Sequence, residues 1–436
     1  MIQISVKRIA LILALIVSIP VTFTACGEKQ KEIKLASDVK QEVKDEEKNA
    51  NKLVKIKDLD LGSMMYVPIC WKDDENIVVT EGSEKNKNVI DFKGVHIDDI
   101  NVYNVNIKTS KVDKVNTIKD ALCGDVGEKD MYGNFLYIKD KKLWMYNTIE
   151  NTQKSIYDLS DIIKEQKENL KITDDKELLK RIHCGFVLGS DKYIYVMAYI
   201  SENDCRMRVI DIKTGAVIKG SDHSGYFPYL DNVRGNYSWV YNKAKDSFYI
   251  SSIYYDFIYQ CKLGEPNSLK RIETVGGQIF DISEDGNDIY LNSIYKKGKG
   301  KKSIVKYDIQ KDKVTVIASE NMNIGDKNHI SIFEDVHINN SKHSIGYGVQ
   351  NAVFEPDNKS LSKMQTNSFI GDFDGKEIKN ARMLPVEQLD NKNYGSSIMF
   401  NKKEDGFIYT VHYFDYNSKD DVTTLYKAKS YIYQIK

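Results

Sequence analysis

From Leu53 onward the chain alternates apolar and polar residues with a period of two, and long helical periodicity is nearly absent. Such alternation predicts half-buried β-strands. Two phrases recur in turn. The first is an apolar strand, a polar turn and a tyrosine-rich strand: Phe186–Tyr195, Trp239–Tyr249, Phe280–Tyr290 and Met399–Tyr409. Asp285-Gly286 and Asp405-Gly406 offer the positive φ that tight hairpins need. The second phrase is a strand, a short polar turn and another strand. It begins at Val102, Leu143, Met207, Phe257, Ile304, Phe369 and Leu425. These starts recur about every 54 residues, the length of four strands with their turns.

The pattern predicts an all-β chain: a single β-propeller of about seven four-stranded blades, within the range six to eight, over residues 53–436. The phrases resemble those of WD40-like, TolB-like and quinoprotein-like propellers. The resemblance implies the fold and no particular activity. The chain lacks the Trp-Asp ending and Gly-His opening of a true WD40 array. A pair of β-sandwiches is the rival fold. Residues 159–182 break the spacing with a helical insertion, capped by Ser160 and then by Thr173 or Asp174. Ser331–Ser368 reads as long strands with a loop around Pro356–Lys363. Leu53–Asp58 resembles an outer strand. It is expected to pair with the last repeat, Ser396–Lys436, and close the ring.

Ahead of the repeats lies an address. Lys7 and Arg8 precede a mostly apolar run, Ile9–Phe23, too short for a membrane span and suited to a signal-peptide core. Thr24-Ala25-Cys26 follows and resembles the lipobox of bacterial lipoproteins, with Phe23 where that family usually has Leu. The resemblance implies that residues 1–25 are removed and Cys26 is lipidated, anchoring the chain to the outer face of the cytoplasmic membrane. An ordinary secretory signal is the alternative. Residues 26–52 carry no aromatic residue and many charges. They read as a flexible tether with a reach of roughly 28 Å.

The whole chain has 63 Lys+Arg and 63 Asp+Glu, a formal net charge of zero that gives no bulk attraction to nucleic acid. Without Lys7 and Arg8 the balance is 61 against 63, or −2. Its 28 Tyr and 15 Phe are enough to build cores, which excludes a disordered chain. The excess of Lys, Ile, Asn and Tyr resembles an AT-rich genome such as those of clostridia. Lysine runs therefore carry little meaning by themselves.

Candidate chemistry is sparse. Cys70, Cys123, Cys184, Cys205 and Cys261 form no CxxC pair, which argues against a structural metal and for buried thiols, with a Cys184–Cys205 bridge as the alternative. His337 and His343 are loosely spaced and read as exposed turn residues. Asp281–Asp288 and Asp372–Gly375 have calcium-like spacing but fit hairpin turns better. No GxSxG, P-loop or GxGxxG motif is present, and no cofactor is implied. Lys296–Lys302 fits a solvated loop, or contact with lipid headgroups or wall polymers.

One stretch stands out. His223–Tyr241 links the outer strand of one blade to the inner strand of the next, on the channel rim. Tyr226, Phe227, Tyr229 and Tyr237 interleave there with Asp231 and Arg234, a composition that suits sugar faces, flat ligands or peptides. The opposing reading packs these rings between blades, as expected of Trp239. A second aromatic run, His412–Tyr416, reads as a loop of the last blade. Together these features lead to a non-catalytic scaffold on the surface of a Gram-positive cell, binding a protein, peptide or cell-wall glycan. The alternative is an extracytoplasmic hydrolase or lyase with its site in the channel. A structural partner in a membrane complex is a third reading.

Overall fold

The computed structural model describes residues 32–33, 53–59, 67–81, 89–91, 98–126, 133–201, 203–226, 237–252, 255–265, 268–294, 302–320, 329–340, 342–354, 361–386, 393–417 and 422–435. Cys26 and most of the expected tether lie outside them. Among the described residues the chain is all-β apart from two short helices.

A two-residue strand, β1 (Glu32–Ile33), comes first, followed by β2 (Leu53–Leu59). Four-stranded antiparallel meanders then succeed one another. The first sheet holds β3 (Val67–Trp71) and β4 (Asn76–Glu81). After β5 (Val89–Asp91) in the connection, it continues with β6 (Asp98–Asn106) and the opening part of β7 (Val112–Val126). The rest of β7 starts the second sheet, with β8 (Asn134–Lys139), β9 (Lys142–Asn147) and β10 (Thr152–Asp158). Helices α1 (Ser160–Leu170) and α2 (Asp175–Leu179) follow. The third sheet is β11 (Ile182–Phe186), β12 (Tyr193–Tyr199), β13 (Asp204–Asp211) and β14 (His223–Tyr226). The fourth is β15 (Tyr237–Asn242), β16 (Ser247–Ser252), β17 (Ile258–Lys262) and β18 (Lys270–Ile272). The fifth is β19 (Gln278–Ile282), β20 (Asp288–Ile294), β21 (Lys302–Asp308) and β22 (Lys313–Glu320). The sixth is β23 (His329–Asn339), β24 (Ser344–Phe354), β25 (Leu361–Phe373) and β26 (Ile378–Met383). Then come β27 (Asn393–Phe400), β28 (Gly406–Asn417) and β29 (Val422–Ile435), with β2 as their fourth strand. Leu53 lies opposite Ile435 and Leu59 opposite Ser430, so the expected pairing of the first long strand with the last sheet is present. Smaller additions sit at edges: β1 runs parallel to β22, and β5 pairs with the start of β29.

Neighbouring sheets pack face to face through separate apolar cores. Trp239 of the fourth sheet stacks flat on Tyr195 of the third, with ring centroids 5.1 Å apart. The last sheet packs on the first in the same way, with Leu59, Ile408 and Ile432 against Trp71, Ile77 and Val79. Full burial of each such side chain contributes roughly 1.5–3 kcal/mol. The first strands of successive sheets touch one another, β7 with β11, β15 with β19 and β19 with β23. They therefore line the axis, and the fourth strands lie outside. This is the β-propeller architecture rather than two sandwiches.

Turn chemistry fixes the hairpins. Asp140 and Lys141 both take positive φ in the two-residue β8–β9 turn, the mirror-image geometry that suits twisted strands. Gly286 has the expected positive φ. At Asp405-Gly406 it is instead Glu404 that turns left-handed, at φ 55°. The acidic stretches with calcium-like spacing are turn formers. The Asp285 carboxylate accepts from Ser283 Oγ at 2.6 Å, and that of Asp374 accepts the N–H groups of Lys376 and Glu377.

Three further expectations are corrected. Ser160 does not cap α1: it is the first helical residue, and the carboxylate of Asp158 takes its N–H at 2.8 Å. Asp174 caps α2 as expected, accepting from the Lys176 N–H. His412–Tyr416 is not a loop but part of β28, with Tyr413 and Phe414 in the core. His337 is not a turn residue either. It lies in β23, its ring stacked on Phe400 at 4.6 Å, while His343 does occupy an exposed turn.

Because strands alternate in direction, two kinds of connection emerge at one end of the propeller. They are the links from second to third strands and from each fourth strand to the next first strand. The long connections 82–97, 159–181, 227–236, 295–301 and 321–328 all belong to this set. The opposite end is built mostly of short turns.

Candidate functional site

At the end carrying the long connections, the third and fourth sheets meet over a polar aromatic cluster. The strand ends place each member. His183 is the second residue of β11, Tyr199 ends β12, Cys205 is near the start of β13, Tyr237 opens β15, and Tyr255 precedes β17. The Tyr199 and Tyr237 hydroxyls hydrogen-bond to each other. The His183 ring stands 5.3 Å from that of Tyr237 and meets Tyr199 edge-on at 5.8 Å. Tyr237 stacks on Tyr255 at 6.5 Å, and Tyr255 on Phe257 at 5.3 Å. The Arg271 guanidinium lies 3.8 Å over the Phe257 ring, a cation–π contact that closes the row.

Burial dominates the electrostatics here. It holds the Tyr199 and Tyr237 phenols far above the ordinary tyrosine range, with neighbouring phenols adding to the effect. It also raises the Cys205 thiol. At neutral pH these groups are uncharged donors and acceptors, not bases or nucleophiles. The cluster is a stiff inter-sheet packing of rings in which Tyr199, Tyr255 and Phe257 are buried and Tyr237 is half-buried.

The helical insertion is pinned to this floor. Gln166 of α1 is fully buried and donates from Nε2 to the Tyr199 carbonyl at 3.0 Å. Arg208 of β13 donates to Asp161 of α1 at 2.5 Å and to the Tyr157 hydroxyl at 2.6 Å. Arg206 grips Asp222 with two parallel bonds of 2.5 and 2.8 Å.

Of the sequence candidates, Tyr226 closes β14, its backbone opposite Asp204. Phe227, Tyr229, Asp231 and Arg234 lie outside the described residues. Tyr237 is half-buried in the cluster just described. Trp239 packs between sheets, as expected. Cys70, Cys184, Cys205 and Cys261 are buried thiols outside any disulfide, so Cys184 and Cys205 form no bridge. Among the described residues no group of three or more His, Cys, Asp or Glu is placed to hold a metal ion. No helix among them is long and apolar enough to cross a membrane.

Sequence reasoning missed His183, Tyr199 and Tyr255, which are far apart in the chain and gather only through the meander. It also missed Asp335. This residue lies in a bulge of β23, where Asp335 and Val336 together oppose Tyr347, and its φ is 48°. Its side chain reaches solvent. Partial desolvation by neighbouring protein raises its carboxyl pKa. Nothing in the period-two pattern marks a bulge of this kind.

No protein-family model matches the chain, and no curated protein matches it. Several solved structures are similar in shape. One is an oligogalacturonate lyase from Vibrio parahaemolyticus, 12% identical, TM-score 0.46, covering 87% of this chain and 97% of that one. Another is the β-propeller domain of the trilobed protease from Pyrococcus furiosus, 11% identical, TM-score 0.42, covering 84% and 94%. A third is the C-terminal WD40 domain of Sif2, 8% identical, TM-score 0.42, covering 88% and 98%. The fold assignment stands on the strand order and inter-sheet packing of this chain itself.

Proposed function

We propose that this protein is a lipid-anchored, extracytoplasmic binding scaffold: a closed seven-bladed propeller that holds a protein, peptide or cell-wall glycan without transforming it. The observation that carries the reading is the row Tyr199–Tyr237–Tyr255–Phe257 at the end where the long connections gather. Only Tyr237 is half-buried; the buried Tyr199, Tyr255 and Phe257 hold it rigid, so its edge can be offered to a ligand at low entropic cost. Pairing of β2 with β29 and the core between the last and first sheets support closure of the ring.

The anchor follows from Thr24-Ala25-Cys26, and its place is the outer face of the cytoplasmic membrane of a Gram-positive cell. Crosslinking and capture from intact cells, comparing the native chain with Cys26→Ala, tests the whole reading. A specific protein seen only with the anchored chain, or retention on purified cell wall, supports it. Turnover of a glycan or peptide by the purified protein overturns the scaffold reading. Persistent membrane association of Cys26→Ala overturns the anchor.

A further inference from the structure

We propose that Glu32–Ile33 belongs to a strap that clips to the outer edge of the fifth sheet and turns the end carrying the long connections away from the lipid anchor. The inference deepens the scaffold reading by naming the surface offered to a partner, and it rests on the Cys26 anchor of that reading. Three observations converge. The first is the pairing. β1 runs beside β22, with Glu32 opposite Ser319 and Ile33 opposite Glu320, which makes the fifth sheet five-stranded. Among the described residues the outer strands β10, β14, β18 and β26 of other sheets gain no such addition. An edge strand carries a row of unpaired N–H and C=O groups, and an extended segment can satisfy them.

The second observation lies in the sequence. Between Cys26 and Leu53 the large apolar residues are Ile33, Leu35, Val39 and Val43, and only Ile33 and Leu35 stand two apart, the spacing of a strand. The segment that pairs is the one whose pattern suits pairing. The third observation is polarity. β22 is the fourth strand of its sheet and leaves through 321–328, so it runs towards the end of the long connections. β1 is parallel to it. The chain therefore arrives from the short-turn end, and Cys26 lies six residues upstream of Glu32. Six extended residues span at most about 22 Å. A free tether reaches roughly 28 Å in any direction and fixes no orientation. With the strap in place the anchor lies on the short-turn side of the fifth sheet, and the strand ends that carry Tyr199 and Tyr237 face away from the membrane.

The test places the lipidated chain, extracted from membranes, in phosphatidylglycerol vesicles that contain a headgroup-labelled energy-acceptor lipid. A donor dye is attached at Lys311→Cys, in the β21–β22 turn, or at Lys164→Cys, on α1; both positions are exposed and lie at opposite ends of the propeller. A Cys123→Ser background leaves Cys70, Cys184, Cys205 and Cys261, which are buried. Transfer to the bilayer should be several-fold stronger from Lys311→Cys. The difference should vanish when Ile33→Pro and Leu35→Pro are added, because proline cannot continue the ladder and both sites lie outside the blades. A second measurement needs no membrane. In the soluble Cys26→Ala chain, Ile33→Cys should form a disulfide with Glu320→Cys under mild oxidation several-fold faster than Val43→Cys does. Equal transfer from the two ends, stronger transfer from Lys164→Cys, or equal disulfide rates overturns the strap. Rapid disulfide formation in the soluble chain, with a native chain that does not stay on vesicles, keeps the strap and removes the anchor, so the two failures are separable.

Discussion

Trp71 in the first sheet donates its indole Nε1–H to the backbone carbonyl of Met399 in the last, at 3.2 Å. The two residues lie at opposite ends of the repeat array, so this bond spans the seam of the propeller. Trp71 is also buried against Ile408 and Ile432. The nearby Lys403–Asp74 pair, at 2.5 Å, is exposed and contributes little. Trp71→Ala should therefore cost about 3–5 kcal/mol, and Trp71→Phe, which keeps most of the burial, about 1–2 kcal/mol. Urea unfolding followed by tryptophan-independent circular dichroism measures both. A loss under 1 kcal/mol in the alanine variant would mean that the seam does not hold the fold together.

The Tyr199–Tyr237 hydroxyl pair makes a different prediction. Removing one hydroxyl takes one partner from the other in a buried site, while Tyr237 keeps Tyr255 and Tyr199 keeps Cys205, so Tyr199→Phe or Tyr237→Phe alone should cost about 0.5–1.5 kcal/mol. The double variant should cost less than the sum of the two, since the shared hydrogen bond is lost only once. A double-mutant cycle by thermal melting checks this, and strict additivity would contradict the pairing. Ultraviolet titration should also show two phenols that do not ionise before the protein unfolds in alkali.

Particular residues show how far the sequence could be read. Leu53–Asp58 was legible as the missing strand of the last sheet, because an alternating segment before the repeats has no other partner. Gly286 was legible as a turn, because Asp-Gly favours positive φ. His412–Tyr416 was misread as a loop. Its strand continues to Asn417, and four aromatic or charged residues in a row hide the period of two. The cluster of His183, Tyr199, Tyr237 and Tyr255 was only partly legible. Tyr237 stood out in its aromatic stretch, whereas the others sit in ordinary strand phrases and meet through register. The bulge at Asp335 left no local signal, since it is set by pairing with Tyr347 on the next strand.

The buried thiols predict chemical silence. Burial pushes Cys70 up to about 12 and Cys261 up to about 12, and it raises Cys205 as well. A thiol so shifted holds almost no thiolate at pH 8 and lies out of reach of reagents. Peptides carrying Cys70, Cys205 and Cys261 should stay unmodified when the folded protein is treated with iodoacetamide, and be fully alkylated after denaturation. Mass spectrometry reads this directly. Rapid labelling of any of the three in the folded state would show that its sheet interface opens.

Asp335 predicts a pH dependence whose sign can be worked out. Its folded-state pKa lies above the unfolded value, so between the two the native state binds more protons than the unfolded chain. In that window stability falls as pH rises, and above it the penalty is constant. Below the unfolded pKa, about 3.9, the carboxyl is protonated in both states and the penalty vanishes. Asp335→Asn removes the charge and retains the shape. The variant should therefore melt higher than the native protein at pH 7, and the two melting temperatures should converge as pH falls towards 4. Scanning calorimetry across that range tests it. A variant that is less stable at pH 7, or a difference that grows on acidification, would mean that an unseen partner stabilises the Asp335 carboxylate.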